Sequence, residues 1–228
     1  MKNLITYQNT KTTKGEKQGY LTGILYMAPS NIVDGVNLCP FASKGCRLAC
    51  LYTAGRGNMS NVKQARIRKT ELFRDDLNCF MAMLVDDIRK AKRKAEKKNM
   101  KLCIRLNGTS DVVWEKIKHH QTKKNIFEIF PDVIFYDYTK NFKRFENKLP
   151  DNYHLTFSIN ENNIKHGIRL MHQGYNIAMV FRELPKSYRG FRVVDGDQTD
   201  LRFLDDQNVI VGLTPKGKAK HDTTGFVF

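Results

Sequence analysis

The chain has 228 residues, 41% of them hydrophobic and 27% charged, the composition of a globular protein long enough to bury a real core in one large domain or two small ones. No apolar run approaches the roughly 20 residues of a membrane helix, and the start, Met1 to Ile5, lacks the apolar stretch of a secretory signal, so the expected setting is the cytoplasm, away from membranes. The net charge of +16 points to an anionic partner or substrate, with nucleic acid among the candidates.

Residues 20–27 are rich in β-formers and read as a strand that ends at Ala28-Pro29. A loop with Asn31, Asp34, Gly35, Asn37 and Pro40 as breakers follows and runs to about Cys46. Residues 60–73 read as a helix with Ser60 as N-cap. A second helix spans about 76–98, with Leu77, Phe80, Met81, Leu84 and Ile88 forming its buried stripe. Its end carries Arg89, Lys90, Lys92, Arg93, Lys94, Lys97 and Lys98, which suits the negative end of the helix dipole. That run reads equally as a solvated face or as a binding patch.

Strands are then expected at 101–107, 133–139, 154–159, 176–181, 192–195 and 209–213, with a small last one at 226–228. Segments 112–128 and 161–173 are compatible with helix. Strands alternating with helices imply βαβ units and a mainly parallel sheet in an α/β protein. Of an open sheet and an incomplete parallel (β/α) barrel, the barrel is the expectation, as a single domain over 1–228 with a cysteine-bearing loop at about 29–58. Polar residues gather at the strand ends, notably Asn107 to Asp111, Tyr138 to Lys140, Ser158 to Glu161 and Asp195 to Asp197. In parallel α/β folds the carboxyl ends of the strands are where ligands bind.

Five cysteines in a chain of this setting point to metal or redox chemistry rather than disulfides. Cys39, Cys46 and Cys50 are spaced C-x6-C-x3-C, so three soft thiolates can converge on one metal centre. Cys46 and Cys50, four apart, share a face if that stretch is a helical turn. An iron–sulfur cluster is the first reading; a zinc ion, which needs a fourth ligand, is the alternative, and it fits a nucleic-acid-binding protein with a structural metal. Lys44, Arg47 and Arg56 lie nearby and would favour thiolates. Arg56, between Gly55 and Gly57, is on a segment able to approach a ligand closely. Cys79 and Cys103 fall in a helix and a strand and read as core thiols.

Three cysteines in a loop after the first strand of a parallel barrel resemble the radical S-adenosylmethionine superfamily, although its usual spacing is C-x3-C-x2-C. The resemblance implies a [4Fe–4S] cluster on Cys39, Cys46 and Cys50, with one iron open to S-adenosylmethionine. Arg105-Leu106-Asn107-Gly108-Thr109 stands where those enzymes carry a methionine-binding segment, so Asn107 and Asp111 are candidate cofactor ligands together with Arg56. A closer resemblance is to the phage-encoded gene product eighty-eight family. It rests on Cys39-Pro40, Cys46, Cys50, Gly55-Arg56, Arg105 to Asp111, Asp195 to Asp197, Val211-Gly212-Leu213 and Lys216-Gly217. It implies a viral protein of radical-enzyme-like fold and supplies no substrate.

Among other residues, Asp195, Asp197 and Asp200 have the look of a calcium loop without its closing Glu and read as turn and cap residues. Lys140 and Arg182, at strand ends, can each bind a carboxylate or phosphate. His119 and His120 sit in a basic segment that reads as solvated, and Lys216 to His221 as a basic surface loop.

Overall fold

The structure, a computed structural model, describes residues 3–7 and 10–228. Its strands are β1 (Ile5–Thr6), β2 (Tyr20–Leu25), β3 (Lys101–Arg105), β4 (Ile134–Thr139), β5 (Tyr153–Ser158), β6 (Ile177–Val180), β7 (Ser187–Tyr188), β8 (Phe191–Asp195) and β9 (Ile210–Leu213). They form one sheet in the order β1-β2-β3-β4-β5-β6-β9-β8-β7. From β2 through β8 every neighbouring pair is parallel; the two outermost strands, β1 and β7, pair antiparallel.

The barrel expectation therefore reduces to an α/β chain with an open, mostly parallel sheet. No ladder joins β1 to β7 among the described residues. Each edge is instead finished by a two-residue antiparallel strand, and short edge strands are a common way to end a sheet without offering it to another chain. The six interior strands expected after residue 100 fall as read, with no end shifted by more than two residues. Residues 226–228 make only an isolated bridge, Val227 to Val180.

The helices are α1 (Thr10–Glu16), α2 (Lys44–Leu48), α3 (Ser60–Asp75), α4 (Leu77–Lys97), α5 (Ile126–Ile129) and α6 (Ile164–His172). Asp76 caps α4, its carboxylate accepting the Cys79 N–H at 2.9 Å. Phe80, Met81, Leu84 and Ile88 are buried as the spacing predicts, while Leu77 stays exposed. They pack on Leu102, Ile104 and Leu106, the outer face of β3 and its extension. The opposite face of β3 carries Cys103, which packs with Tyr136 and Leu201, and Arg105, which pairs with Asp200 at 3.0 Å. A smaller core lies under α6, between Phe157, Ile159, Leu170, Met171 and Ile177.

Segment 112–128 is not one helix. It contains a single 3-10 turn at Trp114–Lys116, a bridge from Lys118 to Asn125 and the short α5. Its backbone groups are claimed by side chains instead: Asn107 Oδ1 accepts the Val112 N–H, and Asn125 and Glu128 form a capping box. Lys123, at φ +56°, turns the chain between the bridged residues. His119 is buried there rather than solvated.

The basic end of α4 is largely answered by its own neighbours. Arg89 pairs with Asp86, Lys90 with Asp87, Lys92 with Asp132 and Lys98 with Glu16, and Lys94 lies over the Tyr7 ring. It reads as a solvated, ion-paired face. No helix among the described residues is long and apolar enough to cross a membrane.

The edge strand β1 is anchored by a buried carboxylate. Asp87 on α4 accepts the N–H groups of Leu4 and Ile5 at 2.6 and 3.2 Å, and Lys69 on α3 donates to the Leu4 carbonyl. Asp87→Ala is expected to leave two buried N–H groups unpaired and to lower unfolding free energy by about 1–3 kcal/mol, read as a lower urea midpoint at unchanged slope.

Candidate functional site

A cavity of about 260 Å³ opens at the carboxyl ends of β3, β4, β5, β6 and β9. One wall is the cysteine loop and carries Cys39, Cys46 and Cys50; the other is made by strand ends and carries Arg105, Tyr138, Lys140 and Ser158.

Cys39 lies in the loop between β2 and α2. Its N–H donates to Asn37 Oδ1 at 2.9 Å and its thiol to the Thr109 carbonyl at 3.7 Å. Cys46 sits in α2, whose N-cap Ser43 accepts the Cys46 N–H at 3.1 Å. Cys50 lies beyond the end of α2, in an extended backbone conformation before the 3-10 turn Leu51–Thr53. The pair therefore does not share one helical face; the break at Ala49 and Cys50 turns Cys50 to the cavity separately.

Glu161, in the loop after β5, fixes α2 in place. Its carboxylate accepts from Ser43 Oγ and from the Gly45 N–H, each at 2.7 Å. This is close packing: a Cβ at Gly45 would stand 2.2 Å from Thr224 Oγ1 and 2.8 Å from both Glu161 oxygens. Thr224 is itself held by Asp222 at 2.7 Å.

The Arg105 to Asp111 loop forms the side of the cavity. Asn107 Oδ1 accepts from Ser110 Oγ, the Val112 N–H and Trp114 Nε1 at 2.9, 2.9 and 3.2 Å. Its Nδ2 donates to the Val112 carbonyl at 3.0 Å and to Asp137 at 3.4 Å. Asp111 accepts Thr139 Oγ1 at 2.7 Å and the Lys140 N–H at 2.8 Å. Both residues line the cavity, with their polar atoms committed to shaping it. Gly108 allows the close approach to β2, since a Cβ there would meet the Leu25 carbonyl at 2.7 Å.

The cations at the thiols are not those expected. Lys44, Arg47 and Arg56 are exposed and outside the cavity. The charges acting on Cys50 are Lys140 and Arg66. Arg66, on α3, is buried; its guanidinium lies over the Tyr26 and Tyr52 rings at 4.9 and 5.4 Å, and its Nε and Nη1 have no hydrogen-bond partner among the described residues. In the sequence it reads as one more helix-surface arginine, and only the packing of two tyrosines from distant loops removes it from solvent.

Burial dominates the thiol chemistry. It pushes Cys39 up to about 12 and also raises Cys50, partly opposed by Lys140 and Arg66. Each of the two senses Cys46 as a neighbouring charge. Among the described residues no three His, Cys, Asp or Glu side chains are grouped to hold a single metal ion; the three thiols stand around one cavity rather than around one point. Cys79 is exposed and Cys103 is buried under the sheet, and neither lines the cavity. Asp195 closes a turn on the Asp197 N–H, Asp197 pairs with Lys216, and Asp200 with Arg105, so these carboxylates do not converge as a calcium loop would.

These features define an open-sheet α/β protein with a three-cysteine cavity at the strand carboxyl ends. The model of the family described as Gene product 88 matches residues 3–228, and the chain belongs to that family. No curated protein and no solved structure matches it.

Two outcomes follow from this geometry. Gly45→Ala is expected to displace α2, at about 1–3 kcal/mol, and to speed alkylation of Cys46, measured by mass spectrometry of peptides after timed labelling. Asp137, fully buried beneath the Asn107 loop, is raised by burial from 3.8 to about 7. Between those values the folded chain keeps a proton that the unfolded chain has lost. Stability should therefore fall as pH rises from about 4 to 7 and stay at that deficit above it. Asp137→Asn should flatten that component in denaturant titrations across pH.

Proposed function

We propose that this protein holds an iron–sulfur cluster, of the [4Fe–4S] kind, through Cys39, Cys46 and Cys50 at the carboxyl mouth of its sheet. The carrying observation is that three free thiols line one cavity. Two of them are buried enough to resist ionisation by themselves. A thiolate there requires a positive partner, and metal binding supplies it while releasing protons. A zinc ion needs its sulfurs about 2.3 Å from one point, which the described side chains do not provide. A cluster offers several iron corners and so can take thiols that line different parts of one cavity. Lys140 and Arg66 offset the negative charge of a thiolate-bound cluster.

Three protein thiolates leave one iron without a protein ligand, and that position supplies a binding point for substrate or for S-adenosylmethionine. The chain's own residues shape the space beside it: Asn107 and Asp111 fix the side wall, Glu161 fixes α2, and Arg105, Tyr138 and Lys140 present donors. The proposed class is thus a cluster protein of radical-enzyme type, acting in the host cytoplasm if viral.

Anaerobic purification with iron, sulfide and zinc analysis tests the reading. About four irons and four sulfides per chain are expected, with an electron paramagnetic resonance signal that S-adenosylmethionine alters. Serine at Cys39, Cys46 or Cys50 should abolish the iron, while serine at Cys79 should leave it. One zinc and no iron after anaerobic reconstitution would remove the cluster and bring forward a structural metal in a basic, nucleic-acid-binding protein.

A further inference from the structure

Two buried hydrogen-bond donors on the strand-end wall, and a lysine with donors to spare, are not accounted for by the fold. Arg105 spends Nη1 on Asp200 at 3.0 Å, and its Nε is buried without a hydrogen-bond partner among the described residues. Its guanidinium lies 4.8 Å from the centre of the Tyr138 ring, and the Tyr138 hydroxyl is likewise buried without a partner. Two residues along, where side chains return to the same face, Lys140 Nζ donates to Ser158 Oγ at 2.7 Å and stands 5.8 Å from the centre of the Phe226 ring. It makes no ion pair among the described residues; the nearby Asp111 carboxylate takes the Lys140 backbone N–H instead. All of these residues line the same cavity as the cysteines.

Leaving buried donors unmade costs roughly 1–3 kcal/mol each, and native proteins keep such groups mainly where a ligand or water completes them. The sign of the charge narrows the ligand. Asp200 neutralises Arg105, and Asp111, which senses the Lys140 charge, is itself paired with Arg144 at 3.6 Å, so the Lys140 charge is only partly offset. A group that accepts from all three and carries negative charge fits; a second donor-rich or cationic group does not. The rest of the wall, with Val180, Leu213, Ala219 and Phe226, is apolar and suits a small organic body.

We propose that Lys140, Tyr138 and Arg105 form a subsite for the anionic head, carboxylate or phosphate, of a small organic ligand bound in this cavity. This deepens the reading above, because it names the class of molecule that would share the cavity with the cluster. It rests on that reading only for the ligand's role, since the donors bind an anion whether or not iron is present.

The experiment titrates anaerobically purified protein, its iron content assayed on the same samples, with inorganic phosphate and separately with butyrate at fixed ionic strength. Tyrosine ring shifts are followed by nuclear magnetic resonance in selectively labelled protein. A saturating shift of Tyr138 is expected with at least one anion, and which one saturates assigns the head group. Lys140→Met should weaken binding about tenfold, the loss of one charge-assisted hydrogen bond. Lys140→Arg should restore most of it, and Tyr138→Phe should weaken binding about threefold to tenfold. Lys143→Met, at an exposed lysine on the following turn, should change nothing.

Absence of saturation with both anions would overturn the proposal and leave ordered water as the partner of these donors. So would equal weakening by Lys143→Met, which marks general attraction to a basic surface. Iron content reports separately on the cluster, so an iron-free protein that still binds the anion, or an iron-loaded one that does not, assigns the failure to one idea alone.

Discussion

The side-chain amide of Asn107 is the joint on which the cavity depends. It closes a tight loop by accepting three donors within seven residues of itself, and it reaches the buried carboxylate of Asp137 on the neighbouring strand. Asp137 in turn accepts the Asn107 N–H at 2.7 Å and the Tyr153 hydroxyl at 2.9 Å, and Arg144 bridges Tyr153 to Glu115. Three strands and the chain after the loop are thus tied through one network with low exposure. In such surroundings each bond strengthens the others, and a missing member is costly. The loop so fixed offers the Thr109 carbonyl to Cys39 and the Thr109 hydroxyl to the Met27 carbonyl at 2.6 Å, joining the end of β3 to the beginning of the cysteine loop.

The opposite wall is built by a different device. α2 is a helix of five residues and has little stability of its own. Its position comes from outside: Glu161 grips its first turn, Thr224 fills the space that a side chain at Gly45 would need, and Ala49 and Cys46 pack on Ala219, Phe226 and Val227. The last dozen residues of the chain therefore serve the cysteine loop near its beginning. That is why the wall is only as rigid as contacts between parts of the sequence more than a hundred residues apart.

Much of the fold was legible because its signals are local. Apolar runs bounded by turn residues marked the interior strands, and the stripe from Phe80 to Ile88 marked α4. The polar strand ends, together with the parallel topology, marked the face where a cavity opens. What stayed hidden depends on distant partners. An open sheet and a barrel share the same alternation, and they differ in what finishes the edges, here two-residue strands with almost no pattern. Segment 112–128 has helical composition, but Asn107 and Asn125 claim its backbone. The basic run on α4 looks like a patch until Asp86, Asp132 and Glu16 are placed beside it. At the site, the cysteines and the strand-end lysine could be named from sequence. Glu161 stood among the polar strand-end residues, but nothing near it says that α2 will sit on it, and nothing near Arg66 says that tyrosines will enclose it.

The two walls are mismatched in a way that bears on how the cavity works. On the strand side Arg105, Tyr138 and Lys140 present donors beside the carboxylates of Asp111, Asp197 and Asp200, which pair with Arg144, Lys216 and Arg105. On the cysteine side burial holds the Cys39 and Cys50 thiols neutral, and at Cys50 Lys140 and Arg66 only partly oppose that effect. Without a metal the buried Cys39 and Cys50 thiols are uncharged, and Lys140 makes no ion pair among the described residues. Converting thiols to metal-bound thiolates adds negative charge beside Lys140 and Arg66, and both cations then lower the energy of the loaded state more than that of the empty one. The same Lys140 is a leading donor for an anionic ligand, so the cluster proposed here and that ligand would compete for its charge. Loading one wall would weaken the grip of the other through a shared residue, which is a coupling free energy and therefore reciprocal. The direction would follow from charge alone: a more negative cluster would hold an anion less tightly, and a bound anion would make the cluster harder to reduce.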